Sequence, residues 1–138
     1  MRRIILSKKE IKIKRKTIKF KGEELFLDVA QYRDNNRLAI ICTTKNELYC
    51  DLTINLSDGF FLMDMNEAFI SDMAKSCGLE KKLLDAGVIK EVICVQPYNY
   101  GRYDLVSFDM KKLREFDPIG LDKYYKSFDY ELHYSPKI

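Results

Sequence analysis

Residues 37–56 read RLAIICTTKNELYCDLTINL, and their patterning sets the fold class. Apolar side chains alternate along two arms: Leu38, Ile40 and Cys42 on the first, then Leu48, Cys50, Leu52, Ile54 and Leu56 on the second. Successive side chains of a strand point to opposite faces, so a period of two marks a half-buried strand pair. Folding about Asn46 sets Cys42 against Cys50, Ile40 against Leu52 and Leu38 against Ile54. A slip of one residue would bury Asp51 and Asn55, which fixes the register. The outward face is then Thr43, Tyr49, Asp51, Thr53 and Asn55.

Upstream, Lys16–Phe20 predicts a short strand turning at Lys21-Gly22, and Glu24–Tyr32 predicts a longer one. Leu25, Leu27 and Val29 lie on one of its sides, and Phe26, Ala30 and Tyr32 on the other. Asp34-Asn35-Asn36 is a turn signal, because Asn tolerates left-handed backbone angles. Together with the hairpin these segments predict an antiparallel meander of about four strands. Downstream, residues 64–77 read two ways. Asp64 and Glu67 have capping-box spacing, with Phe69, Met73 and Cys77 on one helical face, whereas Glu67–Ile70 also reads as a strand. Leu79–Ala86 predicts a helix ended by Gly87. Val88–Gln96 and Tyr103–Asp109 predict a second hairpin turning at Tyr98-Asn99-Tyr100-Gly101. Met110–Phe116 is helical up to Asp117-Pro118, and Leu121, Tyr125, Phe128 and Leu132 form one stripe of a terminal helix. The expected architecture is one α+β domain over residues 17–138. It has an antiparallel sheet of about five to seven strands, meander plus hairpin, with two or three helices packed on it. Residues 1–16 precede it as a basic arm.

The composition supports a folded domain and narrows its chemistry. A chain of 138 residues with 46% hydrophobic residues is of single-domain size and apolar enough for a core. Met1-Arg2-Arg3 is followed by only Ile4-Ile5-Leu6 before Lys8 and Lys9, too short an apolar run for a secretory signal. No uncharged stretch approaches the roughly 20 residues of a membrane span, so the expected location is cytoplasmic. The cysteines at 42, 50, 77 and 94 make no Cys-x-x-Cys pair, and His133 is the only histidine, which argues against a metal site. Cys42 and Cys50 are expected as buried thiols rather than a disulfide. A nucleophilic triad would have to use His133 near the chain end, and all six glycines are isolated, so no phosphate cradle is encoded. The expectation is a protein without catalytic residues or cofactor.

Charge is distributed unevenly. Residues 1–22 hold ten basic groups against the single acid Glu10, a balance of +9, and the other 116 residues carry −6. Lys8, Lys9, Lys12, Lys14, Arg15 and Lys16 are candidate phosphate contacts of the sequence-independent, salt-sensitive kind. The simpler reading is that lysines protect an edge strand and keep the chain in solution. Protein contact surfaces need aromatic anchors on a rigid platform. Two places offer them: the hairpin face with Tyr49 and Asp51, and the turn with Tyr98, Tyr100 and Arg102.

The order of the pieces resembles a family of small bacterial proteins of undetermined function, carried as cargo on conjugative and integrative elements of gut-associated bacteria. The matching segments are Thr17–Gly22, Asn36–Ile40, Leu52–Leu56, Glu67–Ile70 and Tyr103–Asp109, followed by a short segment around Leu113. The resemblance implies that Glu67–Ile70 is a strand and that the helix lies at about residues 73–86. It carries over no catalytic residues. Such cargo commonly helps an element survive host defence, and anti-CRISPR proteins are similar in size and lack of catalytic motifs. The implied function is an anti-defence protein whose protein partner is a CRISPR effector nuclease or another host-defence complex, most plainly one that binds the nuclease and blocks its nucleic-acid engagement or cleavage. The alternative is a nucleic-acid-binding accessory protein of the element that uses the basic arm.

Overall fold

The computed structural model describes residues 14–56 and 63–134, with side chains through Ser127. Lys8, Lys9 and Lys12 of the arm and the Phe128 and Leu132 side chains of the terminal stripe lie outside the described residues, as does His133's side chain. The chain is α+β, and among the described residues it has two four-stranded antiparallel sheets and four helices rather than one sheet with two or three.

The first sheet is the meander in the order β1-β2-β3-β4: β1 Ile18–Phe20, β2 Glu23–Gln31, β3 Leu38–Thr43 and β4 Leu48–Asp51. Its inner face is the predicted one, with Leu25, Leu27, Ile40 and Cys42 all buried. Cys42 stands opposite Cys50, and both are free thiols. β1 pairs only with Glu23–Leu25, so the rest of the β2 edge needs other partners. Side chains supply them. Arg15 Nη2 donates to Leu27 O at 2.8 Å, and Asp117 Oδ2 accepts from Val29 N at 2.8 Å.

The second sheet has the order β5-β6-β8-β7: β5 Thr53–Ile54, β6 Glu67–Ile70, β7 Ile89–Tyr98 and β8 Gly101–Phe108. The helices are α1 Asp72–Ser76, α2 Leu79–Asp85, α3 Met110–Phe116 and α4 Pro118–Tyr134. Gly78 separates α1 from α2 at φ 94°, a left-handed angle that favours glycine. Glu67–Ile70 is therefore strand, and the helical face shared by Phe69, Met73 and Cys77 does not form. Asp64 and Glu67 still pair as a box, Glu67 Oε1 accepting from Asp64 N at 3.1 Å, but at the entry to a strand.

Leu52 is where the chain changes sheets. Its N–H donates to Ile40 O in the first sheet, and its C=O accepts from Ser71 N, both at 3.0 Å. In a continuing ladder the Leu52 carbonyl would take the Ile40 N–H. Instead the Thr53 hydroxyl accepts it at 3.0 Å. The turn reverses side-chain parity after Leu52. Thr53 is buried (3% exposed) and Ile54 is only half-buried, pairing with Phe69 instead of Leu38. The expected outward position of Thr53 is thus corrected.

Candidate protein-interaction surface

β7 and β8 form a hairpin whose two arms have opposite environments. β8 lies between β6 and β7 and buries every residue from Asp104 to Phe108. Val106 and Phe108 enter the main core, while Leu105 joins Phe69 and Leu56 in a second cluster. β7 is the outer strand, and among the described residues nothing pairs with its far edge. Its register against β8 shifts twice, between Ile89 and Glu91 and between Val92 and Cys94. Bulges of this kind bend and twist a strand. Val92, Ile93 and Val95 are 39%, 42% and 43% exposed, an apolar strip bounded by Lys90-Glu91 and by Pro97. Charged ends, bulges and a proline without N–H are devices that restrain unspecific edge pairing, so the edge is guarded rather than closed.

The tip of this hairpin is built to hold Tyr100 outward. Asn99 takes φ 53°, a left-handed angle that Asn tolerates. Tyr98 and Tyr103 pack edge to face with ring centroids 6.5 Å apart. The Tyr103 ring lies against Gly101, where an added Cβ would come within 3.0 Å of it. Tyr100 is left fully exposed, with Arg102 exposed beside it in the chain. Tyr98, Tyr100 and Arg102 therefore belong to one tip, continuous with the apolar strip of β7.

The other predicted residues are placed elsewhere. At the end of β4, Thr43 stands opposite Leu48 while Cys42 stands opposite Cys50, so Tyr49 is the extra residue of a bulge. It packs edge-on against the buried Phe20, centroids 6.4 Å apart, and does not share a display with Asp51. Leu48, expected inside, is 60% exposed for the same reason. Asp51 is exposed, and its carboxylate makes none of the ion pairs found among the described residues. Of the arm, Lys14 is exposed, and Lys16 reaches Glu115 at 3.5 Å. Arg15 is committed inside the fold. Its guanidinium donates to Asp28 at 2.6 Å and to Phe116 O at 2.6 Å, and it lies over the Phe26 ring.

A buried carboxyl pair sits under the hairpin. Asp104 of β8, opposite Val95, is ion-paired with Lys75 of α1 at 3.0 Å. Glu80 of α2 is 6% exposed, and its Oε2 has no donor facing it. Burial raises the Glu80 carboxyl to about 7, helped by a hydrogen bond shared with Asp104 and by the Asp104 charge, against a smaller opposing effect of Lys75. The two acids and Lys75 form one cluster under the hairpin. Residue order alone does not reveal it, because Lys75, Glu80 and Asp104 meet only through the packing of α1 and α2 on β8. Among the described residues no group of three or more His, Cys, Asp or Glu side chains is placed to hold a metal ion, and no helix is long and apolar enough to cross a membrane.

The family profile described as a domain of unknown function, DUF4313, matches residues 26–128. The chain belongs to the DUF4313 family. The match runs from within β2 into α4 and so takes in most of the first sheet, all of the second with its β7–β8 hairpin, and the carboxyl pair, while leaving β1 and the arm outside. No curated protein and no solved structure matches the chain significantly.

Proposed function

We propose that this DUF4313 protein acts by occupancy, docking a protein partner on the outer edge of β7 and the Tyr98–Arg102 tip. The observation that carries this reading is the outer edge of β7, unpaired among the described residues, with Val92, Ile93 and Val95 exposed and continuous with a wholly exposed Tyr100. An open edge offers backbone hydrogen bonds to an added strand, and alternate side chains supply selectivity. Aromatic and arginine side chains at the tip are of the type that carries most binding energy in protein interfaces.

The resemblance to mobile-element cargo supplies the partner class. In its sharpest form the proposal is an anti-defence protein that binds a CRISPR effector nuclease and prevents nucleic-acid engagement or cleavage. The charge of −6 on residues 23–138 suits attraction to a cationic nucleic-acid channel, an effect that raises association rates. The alternative, direct nucleic-acid binding by the arm, loses Arg15 to Asp28 and rests on Lys8, Lys9, Lys12, Lys14 and Lys16.

Titrating the full chain into target-cleavage assays of a panel of CRISPR effector nucleases tests the proposal. A stoichiometric loss of cleavage by at least one effector is expected, with little affinity for bare DNA or RNA at about 0.15 M salt, where non-specific phosphate contacts are already weakened. Steeply salt-dependent binding to bare nucleic acid, without effect on any effector, would favour the arm-based reading instead.

A further inference from the structure

The departure of the chain from the first sheet leaves a cleft of about 320 Å³ on that sheet's outer face, between β3 and β5. Ala30 and Ala39, opposite one another on β2 and β3, leave it room, and Ile41 and Ile54 give it apolar walls. Polar groups converge on it. Tyr32 Oη and Thr53 Oγ1 are 2.8 Å apart, and Thr53 Oγ1 also accepts from Ile40 N. Asn55 is held by Asn35 at 3.1 Å, and Asp51 lines the cleft with a carboxylate that makes no ion pair among the described residues. Burial holds the Tyr32 phenol above its ordinary range, against the Thr53 hydrogen bond and with the Asp51 charge adding to it.

The same face already binds one guanidinium. Asp28 stands opposite Ile41 on one side and Asp51 stands opposite Ile41 on the other, so the three side chains share that face. Asp28 takes Arg15, whose guanidinium is also satisfied by backbone carbonyls and lies on an aromatic ring. Asp51 lies two strands over, roughly 10 Å away at the usual strand spacing. It has a phenol, a buried hydroxyl and apolar walls around it, and among the described residues no arginine pairs with it.

We propose that this cleft binds a guanidinium group, with Asp51 as its counter-charge and Tyr32, Thr53 and Asn55 as its polar rim. A guanidinium suits the site better than an ammonium, because it is planar, weakly hydrated and able to lie against apolar walls while donating at its edge. Its source is either an arginine side chain of a peptide or a free guanidinium compound. The site is separate from the β7 hairpin and does not depend on it.

Amide chemical-shift titration of the full chain with four probes tests this: a blocked Gly-Arg-Gly peptide, free L-arginine, and the same peptide with lysine or with neutral citrulline in place of arginine. The arginine peptide should shift the amides of Gln31, Tyr32 and Asn55 saturably, with a dissociation constant on the order of 1 mM, ordinary for so small a ligand. Asp51→Asn should weaken it at least about 10-fold, as loss of a charge-assisted contact does. Asp51 is exposed, and the bond it takes from Ser71 Oγ goes to its backbone oxygen, which the substitution keeps, so this variant should melt like the parent. Equal binding of free arginine supports a metabolite, and preference for the peptide supports a partner's side chain; both uphold the site. Binding of the citrulline or lysine peptide as strong as that of the arginine peptide, an unchanged Asp51→Asn, or no shift at the cleft would overturn it.

Discussion

Glu80 should make the fold less stable as pH rises toward neutrality, and Glu80→Gln should abolish that dependence. An unfolded glutamate titrates near 4.5, and in the folded chain this group titrates at about 7. The folded state therefore binds the proton more tightly than the unfolded one. The resulting stabilisation is complete below about pH 4.5 and is lost progressively as pH rises to about 7. At roughly 1.4 kcal/mol per pH unit of displacement, the full effect is on the order of 3 kcal/mol. Glutamine keeps the shape and donates permanently to Asp104 without a charge, so Asp104 and Lys75 keep their ion pair. Urea unfolding of both proteins between pH 4 and pH 8 gives the difference curve, in which the other titrating groups cancel. Glu80→Gln should match the parent at pH 4 and exceed it by about 2–3 kcal/mol at pH 8. Parallel stability profiles for the two proteins would show that Glu80 does not hold a proton in the fold.

Two further perturbations test the architecture that positions the surfaces. Leu52→Ala should cost about 2–5 kcal/mol as a buried truncation, and Thr53→Val about 1–3 kcal/mol by stranding the Ile40 N–H; Asp51→Ala should stay within about 0.5 kcal/mol in the same urea melts. If Thr53→Val were neutral, the crossing at Leu52 would be wrongly described. Gly120→Ala should destabilise by about 1–3 kcal/mol, since its Cβ would meet Val29 O at 2.7 Å and press on the Asp117 carboxylate that bonds β2; a melting temperature equal to the parent's would contradict that packing.

The meander, the Cys42–Cys50 register, the helix ending before Gly87 and the second hairpin were all legible, because each is specified by local alternation, a turn residue or a cap. The sheet crossing was not. Leu52, Ile54 and Leu56 continue the apolar alternation, while the partner of Leu52 is chosen by Ser71, whose N–H and hydroxyl bond Leu52 O and Asp51 O. The exposure of β7 was hidden for a related reason. A run such as Val92-Ile93-Cys94-Val95 is apolar on both faces and reads as buried, and only the strand order places it at an edge. Tyr49 was misassigned because a bulge shifts parity without a sequence signal of its own. Arg15 looked like part of a phosphate-binding arm, since a cation's partner, here Asp28, is set by tertiary contact. Of the candidate surface, the Tyr98–Arg102 tip was visible from its turn chemistry, and the strip that extends it was not.

The most direct test of the proposed docking surface is nuclease inhibition by hairpin variants. Tyr100→Ala and Arg102→Ala remove exposed side chains and should leave the melting temperature nearly unchanged. In a cleavage assay with an effector that the parent chain inhibits, each should raise the half-inhibitory concentration by about 5- to 150-fold, equivalent to roughly 1–3 kcal/mol of binding. Full inhibition by both variants, or unfolding of both, would contradict the assignment of the β7–β8 hairpin as the contact surface.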